Sequence, residues 1–351
     1  MSDMSEKRKG KKKDITNIIL TSIIVISVLI YGGLFIANYI INNILSKVGE
    51  GEEIDEVVEV YESDRNVVNF ALFGVDMEGA KSQYDELRSD AIKIISLDYD
   101  NHTIKITSLE RDMVVYYPVD EGEFIHLNWA YWYGGAKDAV KTLNYNFDMD
   151  INRYVSISFG ILVDIIDEID GIDLELSEAE ADALFRRKSE GAGTYHLSGK
   201  EALTYSRIRS IDNDFRRINR QNQVIMAVVN KVKGLNLLEI YGLINEILPS
   251  VNTNLSTEEI RKYLTDVTGK FDLNHIETYT EPSGLFYDIK ASEDLTGYDI
   301  GGYVIRSYSE MVKDLHVNIY GETSYTPSQT VQLTEDMIYE NFGGFENPDN
   351  P

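Results

Sequence analysis

The longest apolar stretch lies close to the N-terminus. Ile15 to Ser46 carries no charge, and its centre, Ile18 to Ala37, reads IILTSIIVISVLIYGGLFIA. About 20 such residues cross a hydrocarbon core of roughly 30 Å. Lys7, Arg8, Lys9, Lys11, Lys12 and Lys13 precede it, which directs that end to the cytoplasm. A cleaved signal peptide would show a shorter apolar run, about 7–15 residues, with a small-residue cleavage site. The pattern therefore predicts a cytoplasmic basic tail (1–14), an uncleaved transmembrane helix (15–41) and a bulk that lies outside the cytoplasm. An acidic, glycine-containing stretch at 42–66 reads as an extracellular stalk.

Beyond the stalk the pattern shortens. Apolar or alternating runs at 67–73 (VVNFALF), 91–97 (AIKIISL), 103–109 (TIKITSL) and 153–158 (RYVSIS) predict strands. Helical spacing appears at 135–146, 159–169, 198–206 and 214–233. Interleaved strands and helices predict a layered α/β or α+β domain over 67–233. A helical pair (235–248 and 257–268) follows Gly234, and 275–320 mixes short strand and helix signals. The region 234–332 thus either completes the fold or forms an accessory module. From 333 the chain is acidic, with Gly343, Gly344 and Pro348, and a flexible tail is expected.

Charge changes this picture more than overall composition does. The 351 residues carry a net charge of −26, from 33 basic and 59 acidic side chains. That balance argues against a general nucleic-acid binder. Without cysteine there is no disulfide framework, thiolate metal site or cysteine nucleophile. No HExxH or GxSxG is present, and the loop Gly193–Glu201 fails the phosphate-loop pattern.

Against the acidic background, residues 205–221 read YSRIRSIDNDFRRINRQ. Five arginines (Arg207, Arg209, Arg216, Arg217 and Arg220) stand there with no lysine. Guanidinium grips phosphate oxygens in pairs and stays charged when desolvated. On a helix starting near Asp214, Arg217, Arg220 and Gln221 share a face. Such a helix start favours anions, and Asp214 is placed to cap it. A solvated basic face paired with acids elsewhere explains the cluster about equally well. Three further sites fall at strand ends, where ligands gather. Asp76 closes FALFGVD, Arg88 and Asp90 open the next strand, and Arg111 with Asp112 close TIKITSLERD. Two carboxylates without His or Cys suit Mg²⁺, although each alone is more often a turn or capping residue. The run Trp129-Ala130-Tyr131-Trp132-Tyr133 reads either as core or as a sugar-stacking surface.

These segments together resemble the LytR-CpsA-Psr family of cell-envelope phosphotransferases. The resemblance runs from about Phe70 to Val232 and rests on short motifs in family order. They are FGVD (73–76), RSD (88–90), Ser108-Leu109-Glu110-Arg111-Asp112, LNWAYWYGG (127–135) and Asp170-Gly171-Ile172-Asp173 with the region around Asp164. LSGKEALTYSRIR (197–209) and DFRRINRQ (214–221) complete the series. The chain departs from the pattern at Glu110, where Pro is usual, at Arg216, where Gly is usual, and at His126 and Asp170.

The resemblance implies a central mixed sheet flanked by helices, with a hydrophobic cleft for a lipid tail. It implies transfer of a glycosyl-phosphate polymer from a polyprenyl-pyrophosphate carrier to a peptidoglycan hydroxyl. Arg88, Arg111, Arg207, Arg209, Arg217, Arg220 and Gln221 would then cradle the pyrophosphate, with Mg²⁺ on Asp76 and Asp90. Asp90, Arg111, Asp112 and Arg217 would be catalytic, with Asp90 or Asp112 taking the acceptor proton. Arg217→Ala is expected to abolish transfer with the fold intact. Polyprenyl-pyrophosphate hydrolysis and non-catalytic binding of an anionic polymer or lipid are the competing readings.

Overall fold

The computed structural model describes residues 43, 49–54, 61, 63–75, 88–186, 191–211, 214–235, 239, 243, 247, 251–283, 287–290, 302–305 and 307–342. The transmembrane helix expected at 15–41 and most of the helix expected at 235–248 lie outside them. Among the described residues no helix is long and apolar enough to cross a membrane.

Along the chain, β1 (Gly49–Glu50) precedes three long strands, β2 (Val67–Val75), β3 (Ser89–Asp98) and β4 (Thr103–Leu109). The hairpin β5 (Val114–Tyr117) and β6 (Glu123–His126) leads into α1 (Leu127–Phe147), then β7 (Tyr154–Ser158) and α2 (Phe159–Glu168). A small layer follows, made of β8 (Ile172–Leu176), α3 (Glu178–Phe185), β9 (Gly193–Leu197) and α4 (Gly199–Ser206). The long helix α5 spans Asp214–Val232. The remainder comprises β10 (Asn252–Thr253), α6 (Thr257–Lys270), β11 (Ile276–Glu281), β12 (Tyr287–Lys290), β13 (Gly302–Ile305), α7 (Tyr308–Tyr320) and α8 (Gln329–Phe342).

Seven strands form one sheet in the order β1-β10-β7-β2-β3-β4-β11. β2 pairs antiparallel with β3 and parallel with β7, so the sheet is mixed. Side chains alternate across a pleated strand, and this sheet is covered on both faces. One face, with Ala71, Phe73, Ile92 and Ile94, packs in the main core together with α1, α7 and α8. The opposite face, with Leu72, Gly74, Ala91 and Lys93, looks onto α2 and α5. The small layer has a separate core around Ile172, Leu197 and Tyr205.

Two boundaries differ from the pattern-based expectation. The stalk is partly built into the domain. Gly49 and Glu50 pair with β10, while Tyr61 and Ser63 donate to Glu322. The acidic tail is helical to Phe342, because Val331, Thr334, Ile338 and Phe342 bury one stripe of α8. Asp148 holds the start of that helix, accepting from the Ser328 amide at 2.8 Å and hydroxyl at 2.6 Å. Region 234–332 contributes β10 and β11 to the sheet, with β11 parallel to β4 from Ile276↔Ile104 to Glu281↔Leu109.

Candidate active site

A β-bulge sets the site. β2 and β3 keep register to Gly74↔Ala91, and the next pair is Val75↔Ser89. Asp90 is the extra residue, and a bulge of this kind re-aims a side chain out of strict alternation. Asp90 lines a cavity of about 250 Å³ with Arg111, Phe159, Arg207, Arg209, Arg217 and Gln221. They arrive from five places in the fold: β3, the turn after β4, the start of α2, the end of α4 and the first turns of α5. Arg111 lies two residues past β4, Arg207 caps α4 at its C-terminus, and Arg217 and Gln221 are one turn apart on α5. Arg111 thus joins Arg207, Arg209 and Arg217, about a hundred residues away in sequence, around one space.

Their charges are oriented by specific partners. Arg111 pairs with Asp90 and with Asp112, the latter at 3.4 Å. Arg217 is 4% exposed and lies 3.8 Å from Glu110, which is fully buried. The guanidinium of Arg207 stacks 4.5 Å from the Phe159 ring centroid. Glu110, the departure where Pro is usual, therefore places an internal counter-anion behind the arginines. Its amide also donates to the Glu281 carbonyl at 2.9 Å.

A second, apolar cavity of about 210 Å³ adjoins the first and shares Phe159 and Gln221 with it. Its wall includes Leu72, Ile157, Leu162, Ile165, Val224 and Val228. Its one charged side chain is Lys93. The Lys93 amine donates to Ser108 Oγ and Asn222 Oδ1, each at 2.7 Å, and burial pushes its pKa down to about 7.

Not every expected residue reaches the cavity. Arg220 donates from Nε to Glu180 at 3.0 Å and from Nη1 to the Ile208 carbonyl at 2.9 Å. It stands about 100° around the helix from Gln221, which turns it toward α3 and the loop after α4. Arg88 lies over two indole rings, 5.6 Å from Trp129 and 5.3 Å from Trp132. Asp112 holds Arg111 and is not among the cavity's lining residues. Asp76 lies outside the described residues, as does the Asp214 side chain that was expected to cap α5.

Sequence reasoning missed Phe159 and Lys93, and it marked Glu110 as a departure without foreseeing its burial. Phe159 carried the one available signal, following Ser158, whose hydroxyl caps α2 by accepting from the Ile161 amide at 3.3 Å. Among the described residues no group of three or more His, Cys, Asp or Glu side chains gathers to hold a metal. Asp90 fits a cation that takes few protein ligands, because its carboxylate borders the space a phosphate would enter.

Comparison with known proteins decides the family. The LytR_cpsA_psr family model matches residues 38–313. The chain belongs to the LytR_cpsA_psr family. The match extends well beyond Val232, in keeping with β10 and β11 being strands of the main sheet. The polyisoprenyl-teichoic acid–peptidoglycan teichoic acid transferase TagT of Bacillus subtilis is 25% identical, over 68% of this chain and 76% of its own length. TagU of Bacillus cereus, which bears the same activity name, is 32% identical over 58% of this chain and 65% of its own length, just under two thirds. Biofilm regulatory protein A of Streptococcus mutans is 30% identical over 80% of this chain and 70% of its own length. A solved structure of TagT bound to LIIa-WTA shares the fold, with a TM-score of 0.58 and 21% identity over 78% of this chain and 99% of that one.

Proposed function

We propose that this LytR_cpsA_psr chain is an extracellular, membrane-anchored phosphotransferase that attaches a glycopolymer to the cell wall. In this reading it takes a glycosyl-phosphate polymer from a polyprenyl-diphosphate carrier and gives it to a peptidoglycan hydroxyl. One observation carries the proposal: a cavity of four arginines opens into an apolar cleft through the shared residues Phe159 and Gln221. A diphosphate head followed by a hydrocarbon tail matches that pair in charge, polarity and order. The transferase names of TagT and TagU support the same reaction class.

Transfer of a phosphoryl group asks mainly for positioning and charge stabilisation. Arg207, Arg209 and Arg217 with Gln221 grip the diphosphate oxygens, and their fixed partners keep the donors oriented before substrate arrives. The acceptor hydroxyl attacks the phosphorus that bears the sugar. The new O–P bond forms as the bond to the bridging oxygen breaks, and polyprenyl phosphate leaves with the electron pair. Asp90, which borders the cavity, takes the hydroxyl proton, while Asp112 keeps Arg111 in place. Mg²⁺ held by Asp90, with Asp76 as second ligand, would supply charge neutralisation of the diphosphate. An anchor at 15–41 keeps the domain beside the leaflet that holds the carrier, raising effective concentration.

The test incubates full-length protein in detergent with radiolabelled lipid-linked glycopolymer, with and without peptidoglycan. Polymer covalently joined to peptidoglycan is the expected product, and Asp90→Ala or chelation suppresses it. Release of polyprenyl phosphate without coupling would mean hydrolysis. Binding without turnover, indifferent to Asp90→Ala and chelation, would mean a polymer-holding module.

A further inference from the structure

The tryptophans stand beside the phosphate cavity without lining it. The chain has two, Trp129 and Trp132, and both lie under the Arg88 guanidinium. They sit in the first turns of α1, before a break in that helix. Gly135 has φ 66° and ψ −157°, a conformation that only glycine adopts readily. The break ends the aromatic segment and turns the rest of α1 onto the core.

The aromatic run divides by exposure. Tyr131 packs against Phe73 with ring centroids 5.2 Å apart, and Trp129 packs against the main core. Trp132 and Tyr133 are exposed instead, at 37% and 41%. Their rings lie 5.2 Å apart at 37°, forming a tilted double plate. Tyr133 rests edge-on against Tyr117, whose hydroxyl donates to Asp138 at 2.6 Å. Large aromatic surface left in water and braced from behind marks a binding surface.

The plate is tied to the chemistry by backbone and by charge. The Asn128 amide donates to the Arg111 carbonyl at 3.0 Å, and Arg88 is two residues from Asp90. The His126 ring lies 5.2 Å from the Trp129 ring, tilted by 47°. Burial pushes its imidazole pKa down, with opposing charge effects from Asp112, which raises it, and from Arg111 and Arg88, which lower it. The start of α1 is thus bonded to the backbone of Arg111, a residue of the arginine cavity, and Arg88, over Trp132, is two residues from Asp90, another.

We propose that Trp132 and Tyr133 form a saccharide-stacking subsite that holds a pyranose ring next to the transferred phosphate, with Arg88 as its positioning residue. The apolar face of a sugar ring covers the exposed indole, and Arg88 stiffens the plate by cation–π contact from the cavity side. The inference rests on the transferase reading and deepens it, since a sugar-bearing phosphorus needs a sugar beside it. Donor and acceptor both present such a ring.

Because one of the two tryptophans, Trp132, belongs to the plate and the other, Trp129, lies edge-on to it at 6.0 Å, their fluorescence reports on the plate without turnover. Full-length protein is titrated with chitotetraose and, separately, with a disaccharide-linked farnesyl diphosphate and plain farnesyl diphosphate. The expected result is a saturable, sugar-dependent spectral shift in the wild-type protein, together with a calorimetric sugar affinity that Trp132→Ala loses and Trp132→Phe largely keeps. Affinity for plain farnesyl diphosphate stays unchanged in Trp132→Ala. In turnover, a KM about tenfold higher for the lipid-linked donor assigns the subsite to the donor sugar. The same rise for peptidoglycan assigns it to the acceptor glycan. Unchanged sugar affinity and unchanged KM for both substrates in Trp132→Ala would overturn the proposal. Failure of wild-type protein to bind farnesyl diphosphate would instead sink the transferase reading, because the arginine cavity is read by that ligand alone.

Discussion

Glu110 and Arg217 show what a single side chain changes here. Both are buried, and the ion pair between them spans 3.8 Å. Removing one member of a buried pair strands the other charge, which costs more than the pair itself contributes. Arg217→Ala therefore tests stability as well as catalysis. It should lower stability by about 3 kcal/mol as well as abolish transfer. Glu110→Gln combined with Arg217→Gln, which removes both charges and keeps the shapes, should recover most of that stability and none of the activity. Urea denaturation of the four proteins in the double-mutant cycle checks this, together with the coupling assay. Equal stability losses that simply add would show that the two side chains do not interact. Neither the burial of Glu110 nor its partner was legible in the sequence. A glutamate directly after a strand reads as a surface turn residue, and only the fold brings α5 across it.

Helix α5 is the element on which the site depends most, and its three faces do different work. Arg217 and Gln221 look into the arginine cavity, Val224 and Val228 wall the apolar cleft, and Arg220 reaches back to Glu180 and the Ile208 carbonyl. Desolvation raises the Glu180 pKa, but hydrogen bonds from Ser177 and Arg220 outweigh it and hold the carboxyl below its usual range. Ile208 separates Arg207 from Arg209, so Arg220 fixes the loop that presents both. On the proposed function those contacts give Arg220 a positioning role toward Arg207 and Arg209. Arg220→Leu should cost about 2–3 kcal/mol through two lost hydrogen bonds of a charged group. It should also raise the KM for lipid-linked donor more than it lowers kcat. Thermal melts and donor titrations read the two effects, and a variant with reduced stability but wild-type KM would confine Arg220 to the scaffold. Helical spacing revealed that Arg217 and Gln221 share a face, because one turn returns a side chain to the same side. Spacing failed for Arg220, since three residues along the helix leaves it within reach of either face, and packing of α3 decided the outcome. The bulge at Asp90 was equally hidden, because alternation in RSDAIKI gives no sign of an extra residue.

At the scale of the whole molecule, the four strands β2, β3, β4 and β7 and helices α2, α4 and α5 followed from apolar periodicity, which registers burial directly, whereas β5, β6, β8, β9 and α3 did not. Nor did the joining of distant segments. Nothing in the local pattern of 276–281 says that it extends the sheet beside β4, or that the tail of α8 closes the main core. The same packing leaves two titratable groups in unfavourable surroundings, with opposite consequences for stability. Glu281 lies beside Asp314 and accepts from Asn318 and the Ser283 amide; burial chiefly, with help from Asp314, raises its pKa from 4.5 to about 8. Between those values the folded state holds a proton that the unfolded state has released, so stability falls as pH rises. Lys93 faces Ser108 on β4 and Asn222 on α5, with Leu72 across from it on β2, and burial lowers its pKa from 10.5 to about 7. Over that range the unfolded chain binds the extra proton, so stability rises with pH. The two slopes meet between about pH 7 and 8, where stability should pass through a shallow minimum. Glu281→Gln should flatten the fall on the acidic side, and Lys93→Met the rise on the alkaline side. The methionine should also stabilise the protein below pH 7 by on the order of a few kcal/mol, since an amine that is charged there no longer has to be buried. Melting temperatures of the three proteins from pH 5 to pH 10 measure all of this. A Lys93→Met protein whose profile parallels wild type above pH 7 would mean that the amine stays charged in the cleft wall, bonded to Ser108 and Asn222 as an ammonium.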